Sequence, residues 1–413
     1  MTRTLVRVAL ASGLVCLSAA GNAEPPVDVG TLDGYAASRP RNIDNHGDLV
    51  GVASRPGPEP TSQAVLWERT DDGYEMEALP ALDNLPRSEA YGFGRRGTPV
   101  GYSFVSSGGF SLFRAVAWRK DVSGLRVAED LEPPPGFSDA LAFAGNHHGL
   151  VVGAASNPSE LVDGLTRRQA VAWEPTKDGY RVTDLGVPEG YAVSDASGVN
   201  ELGEIVGTAV RRESDGSGGL IQRTAVVVWR RGCGRHGRSR AETLVLPLPD
   251  DLPRGTSPAI STPGLVVIRA ERSTPGQPLV SRPLIWVRRG HDFDGPYELP
   301  VPKGFTDAFP TDVNEAGVVL GTALTRQSTF PTLVGSQVVV WTRWHKHGYR
   351  ASVFPNPEGA SIVTSTALNE HGDALGFASP APPGGSGGYI WKKASCGKPH
   401  AWKGQAEPED DRR

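Results

Sequence analysis

The sequence predicts an all-β protein, a closed seven-bladed β-propeller in which each blade is a four-stranded sheet. Three observations lead to this prediction. A tryptophan that ends an apolar run recurs seven times, a turn motif of the form Asn-x-x-Gly recurs in step with it, and the two chain ends hold complementary parts of one repeat unit. Repeats of this length are typical of propellers and solenoids, so the repeat decides the fold class.

The tryptophans give the period of the repeat. Consecutive members of the series lie 50 to 57 residues apart, and each ends a run such as Gln-Ala-Val-Leu-Trp or Ala-Val-Val-Val-Trp. Consecutive apolar positions in a strand indicate burial on both faces, as in a sheet packed between two others. We therefore expect these side chains to form the cores between blades rather than a sugar-binding belt. The seven residues are Trp67, Trp118, Trp173, Trp229, Trp286, Trp341 and Trp391.

The second motif marks the first two strands of each unit. The sequence Val-Asn-Glu-Leu-Gly-Glu-Ile-Val-Gly from Val199 recurs from Ile43 and Leu368, and in its most altered forms from Phe93 and Ile260. Asn at the start of a turn and Gly at a position of positive φ fit a type I turn. Because apolar residues flank it on both sides, the motif predicts a tight hairpin between a first and a second strand.

The remainder of each unit supplies two more strands. A variable stretch rich in Gly, Pro, Ser and Arg follows the hairpin and is expected to be a loop. The tryptophan run then forms a third strand, and a short segment that often opens with Gly-Tyr, as at Gly73, Gly179 and Gly348, forms a fourth. Four short strands per unit are the blade of a β-propeller.

The chain ends predict that the ring is closed. The seventh unit stops after the Trp391 run without a fourth strand, whereas the segment from Val27 matches the fourth strand and linker that begin at Val182. We therefore expect the N-terminal strand to complete the last blade, which removes the exposed sheet edges of an open ring. An open solenoid or β-helix is the alternative, but it would need capping units instead of this permutation.

These residues resemble the HAF family of bacterial extracellular repeats. The family alternates a strand ending in Leu-Trp with Asp-Leu-Gly-Thr-Leu-Gly-Gly and then Ile-Asn-x-x-Gly-x-Val-Val-Gly. The likeness rests on Val27–Ser38, on Val182–Gly186, on the turn motif and on the seven tryptophan runs. The His-Ala-Phe tripeptide of the family is replaced by Gln-Ala-Val or Arg-Ala-Val, so the chain is similar to a divergent member. The resemblance implies an exported repeat protein and no particular catalytic residue.

The sequence divides into three predicted segments. Residues 1–23 have a basic start, with Arg3 and Arg7, and then an apolar run of small residues, as in a secretory signal peptide. Residues 24–399 form the propeller, and the polar, acidic segment 400–413 is expected to be disordered. No apolar run is long enough to span a membrane. We expect a secreted or periplasmic monomer.

The net charge bears on nucleic-acid binding, and the cysteines bear on a possible disulfide. The net charge of −4 gives no basic face for nucleic acid. In an exported protein, Cys233 and Cys396 are a candidate disulfide. They follow the tryptophans of units four and seven, which lie almost opposite each other in a seven-fold ring, and a bridge needs Cα atoms within about 7 Å. The pairing is therefore a possibility that the repeat itself argues against.

No catalytic, cofactor-binding or metal-binding residue is assigned from the sequence, because none of the usual motifs is present. Histidines in the hairpin turns, with nearby acids, lack the local spacing of metal ligands, and we expect them to be exposed turn residues. These are His46, His147, His148 and His371 with Asp44 and Glu370. A recognition patch at Trp344, His345 and His347 is a further candidate.

Two functions remain open. We favour a non-catalytic exported protein that binds a protein or polysaccharide through the variable segments, because those vary while the strands stay fixed. The alternative is a carbohydrate-active hydrolase or lyase with carboxylates near the propeller axis. The candidate carboxylates are Asp139, Asp195, Asp307 and Asp312. The variable segments are 52–62, 102–113, 154–166, 208–222, 269–281, 322–336 and 377–387.

Overall fold

The computed structural model shows seven antiparallel sheets that follow one another along the chain. It describes residues 24–55, 61–107, 110–214, 219–233, 239–273, 279–326, 333–344 and 348–392, with the backbone of 4–6. The innermost strands of successive blades contact each other all the way round, including those of the last and first blades, so the ring is closed. The predicted seven-bladed β-propeller is confirmed.

Two short strands precede the first innermost strand, namely β1 (Thr4–Val6) and β2 (Val27–Asp28). Blade 1 contains β3 (Ala37–Ile43), β4 (Leu49–Arg55), β5 (Thr61–Thr70) and β6 (Gly73–Ala78). Blade 2 contains β7 (Arg87–Phe93), β8 (Pro99–Ser107), β9 (Phe110–Lys120) and β10 (Arg126–Leu131), with a 3-10 turn at Arg95–Gly97. Blade 3 contains β11 (Asp139–Gly145), β12 (Val151–Val162), β13 (Leu165–Pro175) and β14 (Tyr180–Gly186).

The other four blades repeat this order from the axis outward. Blade 4 contains β15 (Val193–Val199), β16 (Ile205–Ser214), β17 (Leu220–Cys233) and β18 (Ser239–Pro247). Blade 5 contains β19 (Arg254–Ile260), β20 (Leu265–Arg272), β21 (Val280–Arg289) and β22 (Asp292–Glu298). Blade 6 contains β23 (Asp307–Val313), β24 (Val319–Arg326), β25 (Leu333–Trp344) and β26 (Gly348–Val353). Blade 7 contains β27 (Val363–Leu368), β28 (Ala374–Ala378) and β29 (Gly388–Trp391).

The N-terminal strand closes the ring as predicted. Strand β2 pairs antiparallel with β29, with Val27 opposite Ile390, and becomes the fourth strand of blade 7. The Asp28 carboxylate accepts hydrogen bonds from the backbone N–H groups of Gly30 at 2.8 Å and of Ser386 at 2.9 Å, which ties the strand to the β28–β29 loop. Blade 1 differs from the prediction, because β1 pairs with β6 as a fifth strand.

The seven tryptophans of the series are the centres of the cores between blades, with exposed fractions of 0 to 4%. Four of the indole N–H groups, all at junctions with the preceding blade, donate 2.7–2.9 Å hydrogen bonds to a linker carbonyl. Trp118, for example, donates to Pro80 at 2.7 Å. The indole nitrogens of Trp67 and Trp229 are buried and have no partner in the described part of the chain. Burial therefore accounts for the tryptophan in all seven units, and in four of them a hydrogen bond to the preceding linker adds to it.

The last glycine of the turn motif is explained by a close backbone approach. A Cβ atom on Gly207 would overlap the carbonyl oxygen of Asp195 on the innermost strand, and the same holds at Gly51, Gly153 and Gly376. The innermost strand approaches so closely because its register with the second strand shifts at this point, which is the geometry of a β-bulge. The shift occurs in all seven blades.

Three predictions about the chain ends and cysteines lie wholly or mostly outside the described residues. Apart from β1, residues 1–23 fall there, and so does the segment 400–413. The same is true of Cys396 and of the side chain of Cys233, so the disulfide stays a prediction. In the described ranges, no helix has the length and apolar character needed to cross a bilayer.

Candidate ligand-binding cavity on the propeller axis

The bulges direct seven sets of side chains toward the axis. Each innermost strand has an extra residue opposite its neighbour, and all of these residues line one cavity with a volume of about 680 Å³. Bulges often re-aim a side chain next to a functional site. The residues are Arg41, Tyr91, Phe143, Ser197, Thr311 and Thr366, with Ser257 and Pro258 together in blade 5. The repeat therefore builds the frame, and the residue at this one position determines the chemistry of the cavity.

The cavity wall differs from one side of the ring to the other. Blades 1 to 3 contribute large side chains, with the rings of Tyr91 and Phe143 edge to face at 5.8 Å and the guanidinium of Arg41 4.8 Å from the Tyr91 ring centre. Blades 4, 6 and 7 contribute the small hydroxyl side chains of Ser197, Thr311 and Thr366 at the same position. The result is an aromatic wall that faces a wall of small hydroxyl-bearing residues. Of these, the Ser197 hydroxyl donates to the Pro258 carbonyl at 2.7 Å, and the Thr311 hydroxyl lies 2.9 Å from that of Ser365.

A branch of the cavity extends over blade 4. Its lining includes Arg168 from β13, Thr208 from β16, Gln222 and Thr224 from β17, and Arg254 at the start of β19. These positions lie toward the end of the propeller at which the second and third strands of each blade are joined, here called the loop face. The opposite end, which holds the Asn-x-x-Gly hairpins, is here called the turn face. The cavity therefore reaches toward the loop face.

Two of the four candidate carboxylates line this cavity, and their surroundings differ. Asp195 accepts hydrogen bonds from the Arg168 guanidinium at 2.7 Å and from the Thr208 hydroxyl at 2.9 Å. Asp312 accepts bonds from the backbone N–H groups of Val313 and Leu368, both at 2.8 Å. Burial raises the pKa of Asp312 from its ordinary value of 3.8 to about 6. The charge of Asp195 is thus neutralised by Arg168, whereas Asp312 accepts hydrogen bonds from backbone N–H groups only.

The other two candidate carboxylates do not line the cavity. Asp139 is buried and accepts a 3.2 Å bond from the Ser138 hydroxyl, and burial raises its pKa. Asp307 forms a 3.0 Å ion pair with Arg326. These two are the first residues of strands β11 and β23, so only two of the four candidates are brought to the cavity.

A carboxylate that the sequence analysis missed supports the aromatic wall. Glu89 accepts bonds from the hydroxyls of Tyr91 and Tyr102, each at 3.3 Å, and from Arg41 of the neighbouring blade at 3.4 Å. Burial raises the pKa of both tyrosines, so they remain protonated donors at neutral pH. Glu89 therefore holds two cavity-lining side chains, Arg41 and Tyr91, in place.

The hairpin-turn histidines are exposed and do not form a metal site. His147 Nδ1 lies 2.7 Å from the Glu201 carboxylate, and His371 Nε2 lies 3.0 Å from the Asn45 carbonyl oxygen. Among the residues that the structure describes, no three His, Cys, Asp or Glu side chains are grouped so as to hold a metal ion. His345 and His347 lie outside the described residues, as does the side chain of Trp344.

The turn face has a structural role that the motif encodes directly. The Asn146 side-chain amide donates to the Asn200 carbonyl of the next blade at 3.0 Å, and Asn314 donates to Asn369 in the same way at 3.1 Å. The acid that follows also acts across blades, since Glu370 accepts the N–H of Glu315 at 3.0 Å. The Glu370 N–H in turn donates to the Asn45 side chain at 3.0 Å, across the junction where the ring closes.

The variable segments are shorter loops than the sequence predicts. In blade 3, β12 continues to Val162 and β13 begins at Leu165, so only Asp163 and Gly164 lie between the two strands. The expectation that 154–166 is a loop is therefore wrong, because its residues pair as a hairpin that projects from the loop face. Composition alone misled the prediction, since Gly, Ser and Arg also occur in exposed strand pairs.

Comparisons with known proteins address the fold only. No protein-family model matches this chain, and no curated protein matches it. Among solved structures, the β-propeller domain of the Trilobed protease from Pyrococcus furiosus has a TM-score of 0.49 and 8% identity over 88% of this chain and 100% of its own. A levansucrase of B. subtilis has a TM-score of 0.32 and 12% identity over 67% and 91%. These likenesses are too distant to transfer an activity.

Proposed function

We propose that this protein is a non-catalytic, exported binding protein that takes the end of a polysaccharide chain into its axial cavity from the loop face. The observation that supports this most is the pairing of an aromatic wall, Tyr91 and Phe143, with a hydroxyl wall, Ser197, Thr311 and Thr366. Sugar rings have apolar C–H faces that pack on aromatic rings, and hydroxyl edges that need hydrogen-bonding partners. A site with both kinds of wall matches both parts of such a ligand.

The size and shape of the cavity favour a chain end over a folded protein. Small-ligand sites are concave and have volumes of roughly 300–1,000 Å³, whereas a specific protein interface buries roughly 800 Å² on each partner. The cavity, at about 680 Å³, lies in the first of these classes. Residues of seven blades reach it, so a ligand there is recognised from every side.

Export is part of this proposal and rests on residues 1–23. Their basic start and apolar run are those of a signal peptide. We expect the protein in the cell exterior or periplasm to begin near Glu24, and the mass of its N-terminal peptide tests this. A mature protein that keeps its first residues would contradict the proposed export while leaving the cavity unaffected.

The binding proposal is tested by titrating defined oligosaccharides into the purified protein and following heat release. We expect Phe143→Ala to weaken binding at least about tenfold, because one aromatic wall is lost. Phe137→Ala is the matched control, since Phe137 packs under Arg167 in the same blade and does not line the cavity. Equal affinity of Phe143→Ala and the wild type would contradict the proposal.

A hydrolase or lyase is a second candidate because the two cavity carboxylates differ. Asp195 is paired with Arg168, while burial raises the pKa of Asp312 to about 6. Two carboxyl groups in different surroundings can serve as base and acid in glycoside cleavage. Release of new reducing ends from a bound oligosaccharide, abolished in Asp312→Asn, would establish this candidate and overturn the non-catalytic proposal. Binding without any release supports the binding protein.

A further inference from the structure

The charged side chains that line the cavity differ in the ion pairs and hydrogen bonds that they form with the rest of the protein. Arg168 and Asp195 form an ion pair, and Asp312 accepts two backbone N–H groups. Arg41 lies over the Tyr91 ring and contacts Glu89. Arg254 differs from all of these: it is exposed, and it has neither an ion pair nor a side-chain hydrogen bond with any residue in the described ranges.

The backbone at Arg254 is nevertheless fixed. It is the first residue of β19 and lies opposite Glu271 in the register of blade 5. The Thr224 N–H, in blade 4, donates a 2.8 Å bond to the Pro253 carbonyl, and Leu252 is fully buried. The start of β19 is thus attached to the wall formed by β17. Arg254 is therefore a cation held at a defined place on the cavity wall, and only its side chain is free to reorient.

The neighbours of Arg254 in the cavity are mainly hydrogen-bond donors. Thr256 and Ser257 follow it on β19, and Gln222 and Thr224 face the same branch from β17. An arginine beside hydroxyl and amide donors is the usual environment for an oxyanion, because guanidinium binds carboxylate or sulfate through two parallel hydrogen bonds. The ion-paired Arg168 on the other side of blade 4 adds no net charge, since Asp195 neutralises it.

We infer that the branch of the cavity over blade 4 is a subsite for an anionic substituent of the saccharide, a carboxylate or a sulfate ester, and that Arg254 binds it. The inference rests on the proposed saccharide-binding function and specifies its ligand class as an acidic polysaccharide. The aromatic wall of blades 1 to 3 then holds a sugar ring, while the arginine on the opposite side selects rings that bear a negative charge.

The test compares charged and neutral probes on three variants. A hexamer of galacturonate, its methyl ester, a sulfated dextran oligosaccharide and plain dextran oligosaccharide are titrated at one ionic strength into the wild type, Arg254→Ala, Arg254→Lys and Arg272→Ala. Arg272 is the control, because it is an arginine of the same blade that does not line the cavity and lies at the end of β20.

We expect the acidic probe to bind the wild type more tightly than its neutral counterpart, and Arg254→Ala to lose about ten- to a hundredfold in that affinity, as for one charge-assisted contact. Arg254→Lys should keep part of it and Arg272→Ala all of it. The carboxylate and sulfate probes show which oxyanion is preferred. Equal binding of charged and neutral probes, or an Arg254→Ala variant that binds the acidic probe normally, would overturn the inference but not the proposed function.

Failure of the proposed function gives a different result. If none of the oligosaccharides binds, the anion site is tested with inorganic sulfate against chloride at equal ionic strength, with thermal stability as the readout. Sulfate should raise the melting temperature of the wild type and of Arg272→Ala more than that of Arg254→Ala. An equal shift in all three proteins would show that Arg254 binds no anion.

Discussion

The same repeat builds the hairpin turns of the turn face and the bulges that line the cavity, yet the side chains at these two places have different roles. At the turn face, amide and carboxylate side chains bond the backbone of a neighbouring blade, as Asn146 does to Asn200 of the next blade and Glu370 does to Glu315 of the preceding one. Around the axis, the bulge of each innermost strand presents a residue that varies among the blades, such as Arg41, Phe143 or Ser197. Positions that bond the ring together must be alike, whereas positions that contact a ligand differ. We therefore expect stability and ligand recognition to depend on different positions of the same repeat.

The largest expected effect is a loss of stability on substitution of a turn-face asparagine. Asn200→Ala removes bonds from the Asn200 side chain to the N–H groups of Leu202 and Glu204 and to the Ser261 carbonyl of the next blade. We expect the free energy of unfolding to fall by about 2–3 kcal/mol in denaturant titrations, because buried backbone groups lose their partners. Leu202→Ala, at an exposed position of the same turn, is the control and should change little. Oligosaccharide affinity should stay the same in both variants. A turn-face variant that weakens binding without losing stability would show that turn positions also contact the ligand.

A pH titration of stability tests the buried acid of the cavity wall. Because the folded pKa of Asp312 is about 6 and its ordinary value is 3.8, the folded state favours the protonated acid. Its contribution to stability is full below pH 3.8 and is lost as the pH rises through about 6. Asp312→Asn cannot ionise, so the free energy of unfolding of the variant should fall less over this range than that of the wild type. Parallel curves for the two proteins would contradict the assigned environment.

The junctions between blades offer a comparison of two matched tryptophans. Trp118 donates a hydrogen bond to Pro80 of the preceding blade, whereas the buried Trp67 indole has no partner in the described residues. Replacement by Phe removes similar volume at both sites, but it breaks a bond only at Trp118. We expect Trp118→Phe to lower the free energy of unfolding by about 1 kcal/mol more than Trp67→Phe. Equal losses would show that the indole bond adds nothing to packing.

The smallest expected effect is at Thr366, in the cavity on the propeller axis. The Thr366 hydroxyl lines the cavity, is buried and has no hydrogen-bonding partner among the described residues. Thr366→Val should therefore leave the free energy of unfolding unchanged or raise it by up to about 1 kcal/mol, since an unsatisfied polar group is removed. A clear loss of stability would assign Thr366 to the structural set instead.

The fold could be predicted because its determinants repeat. A buried tryptophan, an Asn-x-x-Gly turn and a displaced fourth strand at Val27 occur at a regular spacing, and each has one physical explanation. The bulge was missed because it leaves no local pattern of its own. Its one signal was the glycine that ends each turn motif, such as Gly207, which has no room for a side chain because the bulged strand approaches it.

The cavity could be predicted only in part for a related reason. All four carboxylates were identified as residues near first strands, but Asp139 and Asp307 are the first residues of their strands and do not line the cavity. Asp312 directly follows the bulge of its strand, where the side that faces inward reverses, so periodicity assigned from the start of the strand fails there. No sequence pattern singled out Arg254, because the inference about it depends on its place in the cavity and on its having no ion pair among the described residues.

We propose that ligand contacts lie at the bulged strands, whereas structural contacts lie at the turn face. Hydrogen exchange of the full chain, measured with and without a galacturonate hexamer, tests it directly. We expect new protection in the innermost strands around the cavity, above all in β15 and β19, and unchanged exchange in the Asn-x-x-Gly turns and the outermost strands. Protection confined to the turns or to the outer strands would contradict the claim.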